Sequence, residues 1–137
     1  MVKIFNDIKS VNLPILDGGQ LYIYVLENSP QGNIKVGRTT NIQQRLRALS
    51  GSNGGGNHIV KIAVSEPTYL YTLERIIHSK FDKYRIDGTE WFDGNYVAFE
   101  DVCGYVDELF SRDDYKVCNE IRKNHNIRFG ITKVEED

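Results

Sequence analysis

Residues 21–38 read LYIYVLENSPQGNIKVGR, and the fold turns on this stretch. Leu21 to Leu26 is rich in β-branched and aromatic residues, which suits a strand. Side chains alternate across a strand, so Leu21, Ile23 and Val25 share one face and Tyr22, Tyr24 and Leu26 share the other. Asn28 to Asn33 is dense in turn formers, and Ile34-Lys-Val-Gly37 reads as a second, short strand. Together they predict a β-hairpin with a longer loop.

Toward the C-terminus a helix should follow. Asn41 is placed to cap it, Gln44 stands at the capping-box position, and Ile42, Leu46 and Leu49 recur on one face. The helix should stop at the glycine run of residues 50–56. That run lacks the Lys-Ser or Lys-Thr of a phosphate-binding loop and follows a helix, so it reads as a mobile surface loop. His58 to Val64 is a third strand. Ser65 and Pro67 start a long helix reaching about Tyr84, with Leu70, Leu73, Ile77, Phe81 and Tyr84 on its apolar side. Ile86 to Phe92 is a connection anchored by Trp91 and Phe92. A helix from Phe99 to Phe110 carries Glu100 and Asp101 in its first turn, where they complement the helix dipole. A short helix is expected around Tyr115 to Lys123. Upstream, residues 1–20 are a lead-in closed by the turn Asp17-Gly18-Gly19. The order β-β-α-β-α-α predicts an α/β (α+β) domain over residues 21–110. A small three-stranded antiparallel sheet would pack against helices, followed by a polar C-terminal extension over 111–137.

Composition narrows the function classes. A chain of 137 residues buries one core without help from disulfides. The cysteines, Cys103 and Cys118, are too few for a disulfide scaffold and lack zinc-ligand spacing, so an intracellular, reducing home is the expectation. No apolar run approaches a membrane span, and Asn6, Asp7, Lys9 and Ser10 interrupt any signal-peptide core. The formal net charge of −2 argues against a protein built to coat nucleic acid. Charge is unevenly spread, however. Between Glu27 and Glu66 there is no acidic residue, while Lys35, Arg38, Arg45, Arg47 and Lys61 fall there. A locally positive surface on an acidic chain would attract phosphate.

Several elements then line up in order. Tyr22-Ile23-Tyr24 and Lys35-Val36-Gly37 lie on paired strands, Arg45 follows on a helix, Glu74 stands in Leu-Glu-Arg-Ile-Ile-His78, and Glu90-Trp91-Phe92 comes after. Over roughly residues 20–93 this pattern resembles the GIY-YIG nuclease family, in particular its viral and phage-encoded branch. Tyr22-Ile23-Tyr24 stands where the family has GIY, and Lys35-Val36-Gly37 where it has YIG. Glu74 matches the metal-binding glutamate. Two departures are plain: Lys35 replaces the first tyrosine of YIG, and Tyr22 replaces the glycine of GIY. The resemblance implies a metal-dependent DNA endonuclease using Mg²⁺ or Mn²⁺, acting on DNA that is branched or nicked. It also implies a setting in the cytoplasm or nucleus of a virus-infected cell.

Chemistry supports the same residues independently. Phosphodiester cleavage needs a nucleophile, neutralisation of phosphate charge and stabilisation of the leaving oxygen. A hard cation keeps several waters and needs only one or two carboxylates, which Glu74 could begin to supply. Arg45 offers a planar, permanently charged fork for phosphate. Arg38, Tyr22, His78 and Arg47 are further candidates for substrate contact. His78 lies one turn after Glu74 on the same side of its helix. Tyr24 is the first candidate for water activation and needs positive neighbours for that role; Lys35 is the other. Each residue also has a plain structural use, as a sheet aromatic or a solvated helix charge. A catalytically inactive nucleic-acid-binding or protein-interaction module on the same fold is the competing reading.

Overall fold

The computed structural model describes residues 1–50 and 58–131. The expected glycine-rich loop and the last six residues of the C-terminal extension lie outside the described residues. Five strands form one antiparallel sheet: β1 (Lys3–Phe5), β2 (Tyr22–Ser29), β3 (Ile34–Thr39), β4 (His58–Val64) and β5 (Trp91–Phe92). Their order across the sheet is β1-β4-β2-β3-β5. The helices are α1 (Ile42–Ser50), α2 (Leu73–Phe81), α3 (Phe99–Ser111) and α4 (Asp113–Phe129). No described helix is long and apolar enough to cross a membrane.

The hairpin forms as its pattern dictates. Tyr22 pairs with Thr39, Tyr24 with Gly37 and Leu26 with Lys35. Both faces of β2 are buried, and they feed separate cores. Leu21, Ile23 and Val25 pack with Ile34, Val36, Leu73, Ile77, Phe92 and the α3 residues Val102 and Val106. Tyr22, Tyr24 and Leu26 pack with Ile42, Leu46, Ile59, Ile62 and Val64. The sheet is thus a middle layer, with α1 on one side and α2 and α3 on the other.

Four expectations are corrected. The sheet has five strands, because the lead-in supplies β1, paired with β4 from Lys3–Val64 to Phe5–Ile62, and Trp91–Phe92 adds β5 beside β3. Both strands are too short for alternation to reveal them in sequence. The helix expected from Pro67 begins only at Leu73. Thr68 instead exchanges both backbone hydrogen bonds with Leu21 (2.9 Å each), and the Asn119 side chain accepts from Thr68 Oγ1 and the Tyr69 amide. That pairing holds the segment extended. The C-terminal helix is longer than expected, 17 residues ending at Gly130, whose φ of 63° is the left-handed geometry that glycine adopts freely at a helix stop. Finally, Asn41 caps α1 through the Gln44 amide (3.1 Å), but its own amide is taken by Thr39 Oγ1, so the reciprocal half of the box belongs to threonine.

Candidate active site at the β3 edge

β5 covers only Ile34 and Lys35 of β3, so the edge of β3 from Val36 onward is left to side chains. Residues expected at the site gather here from both faces of the sheet. On the face shared with α1, the Arg45 Nε donates to Tyr24 Oη at 3.1 Å. Tyr24 lies opposite Gly37, and the phenol ring covers that glycine so closely that a Cβ there would overlap the ring. The last glycine of the Lys-Val-Gly motif is therefore the floor on which Tyr24 lies. Burial pushes the Tyr24 phenol above its ordinary pKa of 10.0, the hydrogen bond and charge of Arg45 pull it down, and Glu74 and Glu90 add a smaller upward push. Arg45, Glu74 and Glu90 thus all act electrostatically on one phenol, although they come from three separate segments.

On the α2 side, Arg38 Nε lies 3.9 Å from Glu74 Oε2, and Arg38 Nη1 donates to the Tyr71 carbonyl at 3.0 Å. The Glu74 side chain is 20% exposed, open enough to meet a ligand. One turn further along α2, His78 Nε2 lies 2.8 Å from the Val36 carbonyl. A carbonyl only accepts, so Nε2 carries the proton and Nδ1 is left to accept from Arg85 Nη2 at 3.5 Å. Phe92 meets the His78 ring edge-on at 5.6 Å between centroids. Glu74, His78, Asp82, Arg85 and Glu90 line an open cleft of about 530 Å³.

Lys35, at the position of the replaced tyrosine, is buried and donates to Glu90 Oε2 at 2.6 Å. That bond and the lysine charge hold the Glu90 carboxyl below its ordinary value of 4.5. A carboxyl whose folded pKa is depressed contributes stability above its unfolded pKa and loses it as pH falls through the folded one. Glu90→Gln should therefore narrow the gap in melting temperature between pH 7 and pH 3.5. Because the Glu90 side chain is 68% exposed, solvent screening limits the effect at neutral pH to under about 1 kcal/mol. A larger loss in thermal melts at pH 7 would show that the pair does more than a screened surface bridge.

Two expected residues sit apart from this group. Tyr22 donates its hydroxyl to the Pro14 carbonyl at 2.7 Å and so anchors the N-terminal segment. Arg47 is exposed in the last turn of α1. In return the structure adds Arg85, Asp82 and the Lys35–Glu90 pairing, which sequence reading missed. The pairing joins residues 55 positions apart and depends on β5, itself too short to foresee.

Among the described residues no group of three or more His, Cys, Asp or Glu side chains comes together as a metal cage. A hard divalent ion does not need one: it binds through one or two carboxylates and keeps its waters. Glu74, with Glu90 and Asp82 on the same open cleft, fits that demand.

An antiparallel sheet buried on both faces thus gathers an arginine, a tyrosine and a cleft-lining glutamate at one edge. Residues 21–112 match the T5orf172 domain model, and the chain belongs to that phage-associated family, which is related to GIY-YIG/HNH-like nuclease-type domains. No curated protein and no solved structure is significantly similar to the chain.

Proposed function

We propose that the chain is a GIY-YIG-type, metal-dependent DNA endonuclease that hydrolyses phosphodiester bonds. The observation that carries this is the convergence of Arg45 on Tyr24 and of Arg38 on Glu74 at one sheet edge beside an open cleft. Family membership supports nuclease or nucleic-acid work in general. Glu74 would hold the single divalent cation, Mg²⁺ or Mn²⁺, which when bound supplies charge neutralisation at the phosphate and the leaving oxygen.

The protein's own groups do the rest. The Arg45 guanidinium keeps its charge at any working pH and is aimed by Tyr24, so it can neutralise a non-bridging phosphate oxygen as water attacks phosphorus and the P–O bond breaks. Arg38 brings a second positive charge beside the carboxylate. His78, held by the Val36 carbonyl through Nε2, accepts from Arg85 through Nδ1 and so positions that guanidinium at the cleft. Tyr24 is the candidate to receive the water's proton, but it is also the post that aims Arg45.

Tyr24→Phe separates those roles. If the phenol is the base, the pH–rate profile loses its rising limb. If it only aims Arg45, the profile keeps its shape while kcat drops by about tenfold, the worth of one positioned hydrogen bond. An unchanged rate and profile would remove Tyr24 from the site.

One observation favours a second reading. Lys35, standing where the family has a tyrosine, has its ammonium engaged by Glu90. A domain that binds DNA without cutting it would tolerate that. DNA retained at low salt, released steeply as salt rises and left intact with Mg²⁺ would identify it.

A further inference from the structure

The outward face of α4 takes no part in the site. Its inner face is tied down: Tyr115 donates to Thr68 Oγ1, Asn119 accepts from Thr68 and Tyr69, and Asn126 faces the Gly18 carbonyl. The opposite face presents Val117 (58% exposed) and Ile121 (63%), one turn apart, and neither is covered by the described residues.

The charges around this pair say what covers it. Asp114 lies seven residues before Ile121 and Arg128 seven residues after; Val117 and His125 lie four before and four after. Seven residues are close to two helical turns, so these positions share the face of Ile121. Two copies of α4 laid antiparallel about a two-fold axis at Ile121 would set Asp114 against Arg128 of the second copy at both ends. Val117 would meet His125 of the second copy, and the two Ile121 side chains would meet on the axis. An isologous interface must be complementary to itself, and an acidic first turn with a basic last turn is self-complementary only when antiparallel. The same polarity would oppose like charges in a parallel pair. Nucleic acid would be repelled by the acidic half of this face.

We infer that α4 is a homodimerisation helix, pairing antiparallel with a second copy of this chain through Val117, Ile121 and the Asp114–Arg128 contacts. A single helix pair buries less than a standard interface, so the dimer is expected to be a weak one.

Sedimentation equilibrium of the full chain over ~1 µM to 1 mM tests this, and circular dichroism checks each variant's fold. The wild type should move from monomer to dimer across that range. Ile121→Glu, an exposed position, should weaken the dimer at least about tenfold without changing the spectrum. Arg128→Glu should weaken it similarly, and the double variant Asp114→Lys/Arg128→Glu should restore it. The double swap opposes the helix dipole at both ends, so restoration cannot come from a steadier helix. In an Ile121→Cys/Cys118→Ser variant, mild oxidation should join two chains through residue 121. A wild type monomeric to 1 mM, a dimer indifferent to Ile121→Glu, or a double variant no better than Arg128→Glu would overturn the inference. Assembly only on added DNA would do the same and assign the face to substrate.

Discussion

Glu74→Gln is expected to lower metal-dependent cleavage by at least about 10³-fold while leaving the fold intact. The substitution preserves shape and removes the one negative charge that α2 brings to Arg38. The pair is long at 3.9 Å, but its side chains are only 10% and 20% exposed, so removing the charge should cost on the order of 1–3 kcal/mol, a modest part of a domain's stability. Single-turnover cleavage and a thermal melt, run side by side, separate the two effects. A variant within tenfold of wild type would remove Glu74 from the metal site. A variant that melts far lower would mean its carboxylate is structural, with the lost activity following from unfolding.

Gly37→Ala is expected to give the largest stability loss of any single methyl added to the sheet, about 3 kcal/mol. A Cβ at this position would overlap the Tyr24 ring, and Tyr24 is 1% exposed with no free space to retreat into. Relief requires the ring to move, and moving it breaks the hydrogen bond from Arg45. Stability and catalysis should therefore fall together. The melting temperature should drop by roughly 6–12 °C, with cleavage lost even below the new melting point. Glycine at this position is required by side-chain packing, not by φ, so Gly37→Ala with unchanged stability would mean that the Tyr24 ring is not seated on β3. Thermal melts at one protein concentration suffice, provided that concentration is held fixed across variants.

Much of the fold was legible because the hairpin's alternation is strong. Leu21, Ile23 and Val25 went to one core and Tyr22, Tyr24 and Leu26 to the other, as period two requires. The α2 spacing of Leu73, Ile77 and Phe81 is legible in the sequence, but its start is not, since the Thr68–Leu21 pairing is a tertiary contact that overrides the helix signal of Pro67. β1 and β5 carry three and two residues, too few for any period to show. The length of α4 was underestimated although Gly130 was there to mark its end. At the site, motif order brought forward Tyr24, Arg45, Arg38, Glu74 and His78, and these meet at the β3 edge. The Lys35–Glu90 pair and the Arg85 contact to His78 were invisible, because each depends on how the Asp82–Phe92 connection folds back. Tyr22 was grouped with the site by its motif, yet its hydroxyl serves Pro14.

Cys103 and Cys118 are both free, and burial pushes the Cys103 thiol up to about 12, which keeps it an inert core residue. A thiol-reactive probe should therefore label Cys118 and spare Cys103 in the native protein. Labelling of both at equal rates would mean that α3 opens readily.

The most direct measurement is cleavage of labelled supercoiled plasmid and branched DNA by the purified chain, with Mg²⁺ or Mn²⁺ and with EDTA. Nicked or cut product that needs the metal, and that disappears in Arg45→Ala, is the expected result. DNA that is bound but left intact under every metal condition would contradict the nuclease reading and leave a binding domain built on the same sheet edge.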